Sequence, residues 1–164
     1  MIRSLAAAGL AACAILAAPG ALAHDEHKPA AKKPISTHVY PWGREGDPAK
    51  SVRTIAVDMA DTMRFTPERI DVKRGETVTF VVRNTGAVMH EMVLGTEQAL
   101  REHAEMMKRH HDMAHDEPFM VHVKPGGEER ITWTFTRAGA FIYGCLVPGH
   151  WEAGMKGVID VAAK

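Results

Sequence analysis

From Val52 onward the chain is a succession of short runs in which apolar and polar residues alternate, most of them closed by Gly, Pro or Asn. Alternation puts successive side chains on opposite faces of an extended backbone, so each run predicts a half-buried β-strand. "VRTIAVDM" (52–59) is the first, "RIDVKRGETVTFVVRN" (69–84) reads as two strands turning at Arg74-Gly75, and "HEMVLG" (90–95) follows. "FMVHV" (119–123), "EERITWTFTRAG" (128–139), "AFIYGC" (140–145) and "KGVIDVAA" (156–163) complete the set. Short strands spaced in this way predict an all-β chain folded as an antiparallel sandwich or barrel.

One stretch breaks the rhythm. "TEQALREHAEMMKRHHDMAHDEP" (96–118) is rich in strong helix formers, with Thr96 placed as an N-cap and Pro118 as a stop, and predicts a helix of about four turns inserted between two strands. Leu100, Ala104 and Met107 fall on one side and are expected to rest on the sandwich.

The N-terminal pattern differs again. Residues 1–23 carry one Arg3, an apolar run from Leu5 to Ala18 and the small-residue pattern Ala21-Leu22-Ala23, which predicts a secretory signal peptide cut after Ala23. The run is shorter than the roughly 20 residues a bilayer span requires. Leu10 to Cys13 has the look of a lipobox, but the apolar run before Cys13 is short and the residues after it stay apolar, which weighs against acylation. Residues 24–50 are rich in Pro, Lys and Gly without apolar periodicity and are expected to form an extended arm, with compact structure, residues 51–164, starting near Ser51.

Charge narrows the partners. The whole chain has 20 Lys+Arg against 20 Asp+Glu, and loss of Arg3 leaves the balance almost unchanged. A field this weak suggests neither nucleic acid nor an anionic membrane surface as a partner. Of the 2 cysteines, Cys13 lies in the expected signal peptide, so Cys145 would stand alone in an oxidising compartment. It has no partner for an intramolecular disulfide, and an unpaired thiol there is either a hazard or a ligand.

The loop "YGCLVPGHWEAGMKG" (143–157) supplies the chemistry. It gathers Cys145, His150 and Met155 on one connection between two strands, with Pro148, Gly149 and Gly154 at its turns. A thiolate, an imidazole and a thioether suit copper, whereas calcium and magnesium want oxygen and structural zinc sites take four Cys or His ligands. Two His and one Cys with a long axial Met is the blue-copper arrangement, and His90, in "NTGAVMHEMVLG" (84–95), is placed to supply the second imidazole.

Together, "NTGAVMHEMVLG" and "AFIYGCLVPGHWEAGMKGVIDVAA" resemble the cupredoxins, including azurin, pseudoazurin and auracyanin-like proteins, over roughly residues 52–163. The resemblance rests on an aromatic two residues before Cys145, Pro-Gly before His150, then Gly-Met-Lys-Gly and a closing strand. It implies a Greek-key β-sandwich holding one type 1 copper through His90, Cys145, His150 and axial Met155. Two features depart from it. Many members have Asn after the first ligand His, where this chain has Glu91, so the hydrogen bonding around the thiolate is expected to differ. The inserted helix, moreover, crowds His103, Met106, Met107, His110, His111, Met113 and His115 into 13 residues. His103 and Met107, Met106 and His110, and Met107 and His111 each stand four apart and share a helix face, so the cluster is a candidate for accessory copper. His24, the expected mature N-terminus, and His27 are further candidates, whereas His38 and His122 read as ordinary surface or strand histidines.

Among small periplasmic cupredoxins the chain is most like those of copper tolerance, which bind and redox-cycle Cu(I)/Cu(II); a one-electron carrier serving a periplasmic redox partner is the alternative. An enzyme is not expected. Multicopper oxidases and copper nitrite reductases commonly place His beside the type 1 Cys as a relay, and here Cys145 is followed by Leu146. Nothing in the chain requires more than a monomer.

Overall fold

The computed structural model describes residues 34–109 and 117–163. The expected signal peptide, Cys13, His24, His27, His110, His111, Met113 and His115 lie outside these residues.

Eleven strands and one α-helix succeed one another among the described residues: β1 (Val39–Tyr40), β2 (Gly43–Glu45), β3 (Arg53–Ala60), β4 (Arg64–Thr66), β5 (Arg69–Lys73), β6 (Thr77–Asn84), β7 (His90–Gly95), α1 (Glu97–Arg109), β8 (Met120–Val123), β9 (Glu128–Thr134), β10 (Gly139–Gly144) and β11 (Lys156–Ala162). They form a six-stranded sheet in the order β1-β2-β9-β6-β3-β4 and a five-stranded sheet in the order β5-β11-β10-β7-β8. The alternation read along the chain is the alternation of burial. Ile70 and Val72 on β5, and Ile159 and Val161 on β11, point inward between exposed or half-exposed neighbours. Trp133, Phe80, Phe65 and Tyr143 fill the space between the sheets, each 1% exposed or less.

The all-β class and the sandwich are those expected, but the pairing is mixed rather than antiparallel: β3 runs parallel to β6, and β5 parallel to β11. The turn at Arg74-Gly75 explains why. β5 and β6 do not pair across it; the chain passes from one sheet to the other there, so each strand pairs with one remote in sequence, the Greek-key solution.

The expected arm, residues 24–50, also needs correction, because its last third is packed. β2 pairs with β9 through Arg44 opposite Thr134 and Glu45 opposite Trp133, extending the first sheet. Trp42 is buried at 6% exposure, its ring centroid 5.1 Å from Tyr40 and 5.5 Å from Phe119. Two large aromatic rings bury enough apolar area to anchor a segment that has no periodicity of its own.

The inserted helix forms over Glu97–Arg109, and residues 110–116 of the expected span lie outside the description. Thr96 is the cap: its Oγ1 accepts from Ala99 N–H at 3.1 Å and its carbonyl from Leu100 N–H at 3.0 Å. Leu100, 1% exposed, seats against Gly95 and Gly144 and fastens α1 over β7 and β10, with Ala104 half-buried beside it. This cover is why all six residues of β7 are buried.

Candidate metal centre

β7, β10 and β11 converge at one end of the second sheet. His90 opens β7, Cys145 follows directly on β10, and Met155 immediately precedes β11. The loop between Cys145 and Met155 is held by its own backbone: Cys145 N–H donates to Met155 O at 3.1 Å, Met155 N–H to His150 O at 3.0 Å and His150 N–H to Val147 O at 3.0 Å. Gly149 and Gly154 take φ of 86° and 93°, left-handed turns that residues with a Cβ adopt only at a cost.

The result is a small triangle of donor atoms. His90 Nδ1 lies 3.2 Å from His150 Nδ1, and Cys145 Sγ lies 3.3 Å from His150 Nδ1; all three ligand atoms fall within 4.8 Å of one another. Spacings of this size fit a single centre with bonds of about 2.0 Å to nitrogen and 2.3 Å to sulfur. Cys145 and His90 are fully buried and His150 is half-buried, so the triangle reaches solvent on the His150 side. Met155 is fully buried beneath the same loop.

The atoms are also electronically ready. Asp61, on the β3–β4 turn, accepts from His90 Nε2–H at 3.0 Å and from Ala87 N–H at 2.7 Å. The backbone N–H of Ala87, followed by His90, holds the Asp61 carboxyl below its ordinary range, so it remains an anion. An anionic acceptor at Nε2 places the His90 ring proton there and leaves the Nδ1 lone pair facing the triangle, the carboxylate–histidine arrangement of metal sites. Asn84 ties down the same approach by donating to Val88 O at 2.7 Å and Val123 O at 2.8 Å. On the opposite corner, burial, followed by the charge of His90, lowers the pKa of His150 and favours the neutral, coordinating imidazole.

Burial pushes the Cys145 thiol up to about 11, although N–H groups of Glu91 and Val147 directed at the sulfur pull the other way. Without metal the thiol is therefore protonated at neutral pH, and metal binding must displace that proton. In the folded metal-free protein, alkylation of Cys145 at pH 7 is expected to be at least about a hundredfold slower than in the urea-unfolded chain, and to quicken as pH rises. Equal rates, followed by mass spectrometry, would show that the sulfur is not shielded by the fold and that its pKa is not raised.

Of the residues expected from sequence, His90, Cys145 and His150 meet through their ligand atoms, and Met155 joins them through the backbone. His103, Met106 and Met107 lie on α1 and are half-buried, with the His103 ring 6.5 Å from Phe119. Met107 lines a cavity of about 440 Å³ between α1 and the Val147-Pro148 turn. Asp61 was not expected from sequence: it stands 29 residues before His90, with nothing in the intervening chain to mark it. Nor was a role for His122, whose Nε2 lies 2.9 Å from Glu91 Oε2.

A two-sheet Greek-key sandwich whose Cys and two His meet at the ends of its strands, with a buried Met closing the same loop, defines a cupredoxin, and copper is the metal that suits those donors. The chain belongs to the plastocyanin/azurin family of copper binding proteins, whose family model matches residues 52–162. It is 52% identical over 121 residues to the copper-resistant cuproprotein CopI of Rubrivivax gelatinosus, covering 74% of this chain and 73% of that one. It is 34% identical over 153 residues to the copper-resistant cuproprotein CopI of Pseudomonas aeruginosa, covering 76% and 84% respectively. Among solved structures, dithionite-reduced auracyanin of Roseiflexus castenholzii superposes with a TM-score of 0.61 at 25% identity, over 68% of this chain and 98% of that one. No described helix is long and apolar enough to cross a membrane.

Proposed function

We propose that this chain is an exported cupredoxin of copper tolerance, working in the periplasm, where it binds and redox-cycles copper that His90, Cys145, His150 and Met155 would hold. The observation that carries the reading is the convergence of two imidazole Nδ1 atoms and one buried thiol within 4.8 Å. Copper, when bound, supplies one-electron chemistry between Cu(I) and Cu(II). The residues do the rest. Cys145 gives up its proton and offers a soft thiolate, and Asp61 holds His90 with its lone pair inward. His150, the half-buried member of the three, would offer an electron a short path to the surface. The backbone hydrogen bonds that lock the loop between Cys145 and Met155 would hold the ligands in place and so keep any reorganisation small.

Tolerance is favoured over simple electron carriage by the CopI relatives, named as copper-resistant, and by the His/Met-rich stretch beginning on α1. His103, Met106 and Met107, with His110, His111, Met113 and His115 beyond them and His24 and His27 at the N-terminus, are proposed as accessory ligands that gather further copper ions. Electron carriage remains the second reading, supported by the half-exposed His150 and the auracyanin-like fold.

A copper titration of the mature protein tests this, read by visible absorption, EPR and metal analysis together. The expected result is a thiolate-to-copper band that saturates at one equivalent, with further copper bound without colour and lost on deletion of residues 96–118. Saturation of colour and binding together would favour the carrier, and no coloured species would overturn the site.

A further inference from the structure

We infer that Glu91, paired with His122, is a positioning residue that clamps the two ligand-bearing segments together and thereby sets the geometry at the Cys145 sulfur. The inference rests on the copper assignment to His90, Cys145 and His150.

Glu91 is 4% exposed, an environment that a carboxylate tolerates only when both oxygens are engaged. Both are. Oε1 accepts from Leu146 N–H at 2.7 Å, and Oε2 faces His122 Nε2 at 2.9 Å. Leu146 is the residue after Cys145, so its N–H fixes the direction in which the chain leaves the thiol. The Glu91 backbone N–H in turn points at Cys145 Sγ from 3.5 Å. One residue thus grips the first ligand strand by its backbone, the thiol by its N–H and the second ligand loop by its side chain.

His122 completes the unit. It stands directly opposite Glu91 in the antiparallel β7–β8 pair, where side chains on one face are neighbours by construction. Its side chain is 43% exposed and that of Glu91 5%, so the imidazole meets the second oxygen from the solvent side and the first oxygen remains free for Leu146. Without that partner the buried carboxylate would be left with an unmatched oxygen and would turn toward water.

The role acts through Cys145, so its test needs readouts that a merely structural residue would not move. Hydrogen exchange of the Leu146 amide, followed by NMR in metal-free protein, reads the clamp without copper. Glu91→Ala is expected to speed it by about tenfold to a hundredfold, the loss of a hydrogen bond to a charged acceptor. Glu91→Gln, which keeps an oxygen for Leu146, should restore most of the protection, and His122→Ala should give an intermediate rate. In copper-loaded protein, Glu91→Ala should change the ratio of the thiolate-to-copper absorption bands. Val72→Ala, a core change on β5 at the far edge of the same sheet, should leave that ratio alone even where it costs comparable stability.

Unaltered Leu146 exchange in Glu91→Ala would overturn the clamp, and so would an unaltered band ratio in the loaded variant. If the wild-type protein itself formed no coloured copper species, the copper assignment would fail instead, and the exchange measurement would still decide whether Glu91 holds the loop.

Discussion

Cys145→Ser is expected to abolish the thiolate-to-copper absorption and to weaken copper binding by more than the roughly 10- to 100-fold that loss of an outer partner of a metal ligand costs. The reason lies in orbital and acid–base chemistry. Only the sulfur can donate charge to Cu(II) at visible energies, and a serine hydroxyl neither ionises in this range nor offers a soft lone pair. The substitution should leave the fold standing, because the hydroxyl is close in size to the thiol and finds His150 Nδ1 and Glu91 N–H already within reach of the sulfur position. Far-ultraviolet circular dichroism identical to wild type, together with a colourless copper-treated protein, is the expected pair of results. A variant that kept the coloured band would remove Cys145 from the site.

Tyr143→Ala should carry the largest cost to stability, about 3–5 kcal/mol in urea unfolding of the metal-free protein, as for other large aromatic truncations in packed cores. Tyr143 is fully buried, and its ring stands edge-on to Phe65 at 5.0 Å. It lies over Gly157, its partner across β10 and β11: a Cβ there would come within 2.2 Å of the ring, so this position accepts only glycine while the tyrosine is present. The hydroxyl donates to Pro67 O, which gives the buried oxygen its partner. Removing the side chain empties that slot and leaves the carbonyl unmatched. The damage should reach the metal centre, because Cys145 and Met155 are the residues that continue β10 and precede β11. A loss below about 1.5 kcal/mol, the size of a volume-conserving swap, would mean that neighbours refill the space and that Tyr143 does not brace the site.

Much of this architecture is legible in the residue pattern alone. The alternation that predicts β3, β5 to β11 and the sandwich is a local property, since a strand with one buried face must write that face into every second position. The Thr96 cap and the start of α1 follow from local chemistry too. Cys145, His150 and Met155 can be read together because one loop carries all three, and no long-range pairing is needed to bring them close. β1, β2 and β4 escape such a reading because strands of two or three residues are too short to show a period.

The sequence by itself thus determined the class of fold and the chemical kind of the donor set, because burial periodicity and ligand softness are properties of residues and their spacing. Tertiary structure alone decided which strands run parallel, that Trp42 draws the arm onto the first sheet, and that Asp61 and His122 stand behind the metal centre. The physical reason is common to all of these. Each depends on two segments 25 or more residues apart meeting at hydrogen-bonding or van der Waals distance, and separation along the chain carries no record of such a meeting until the sandwich closes.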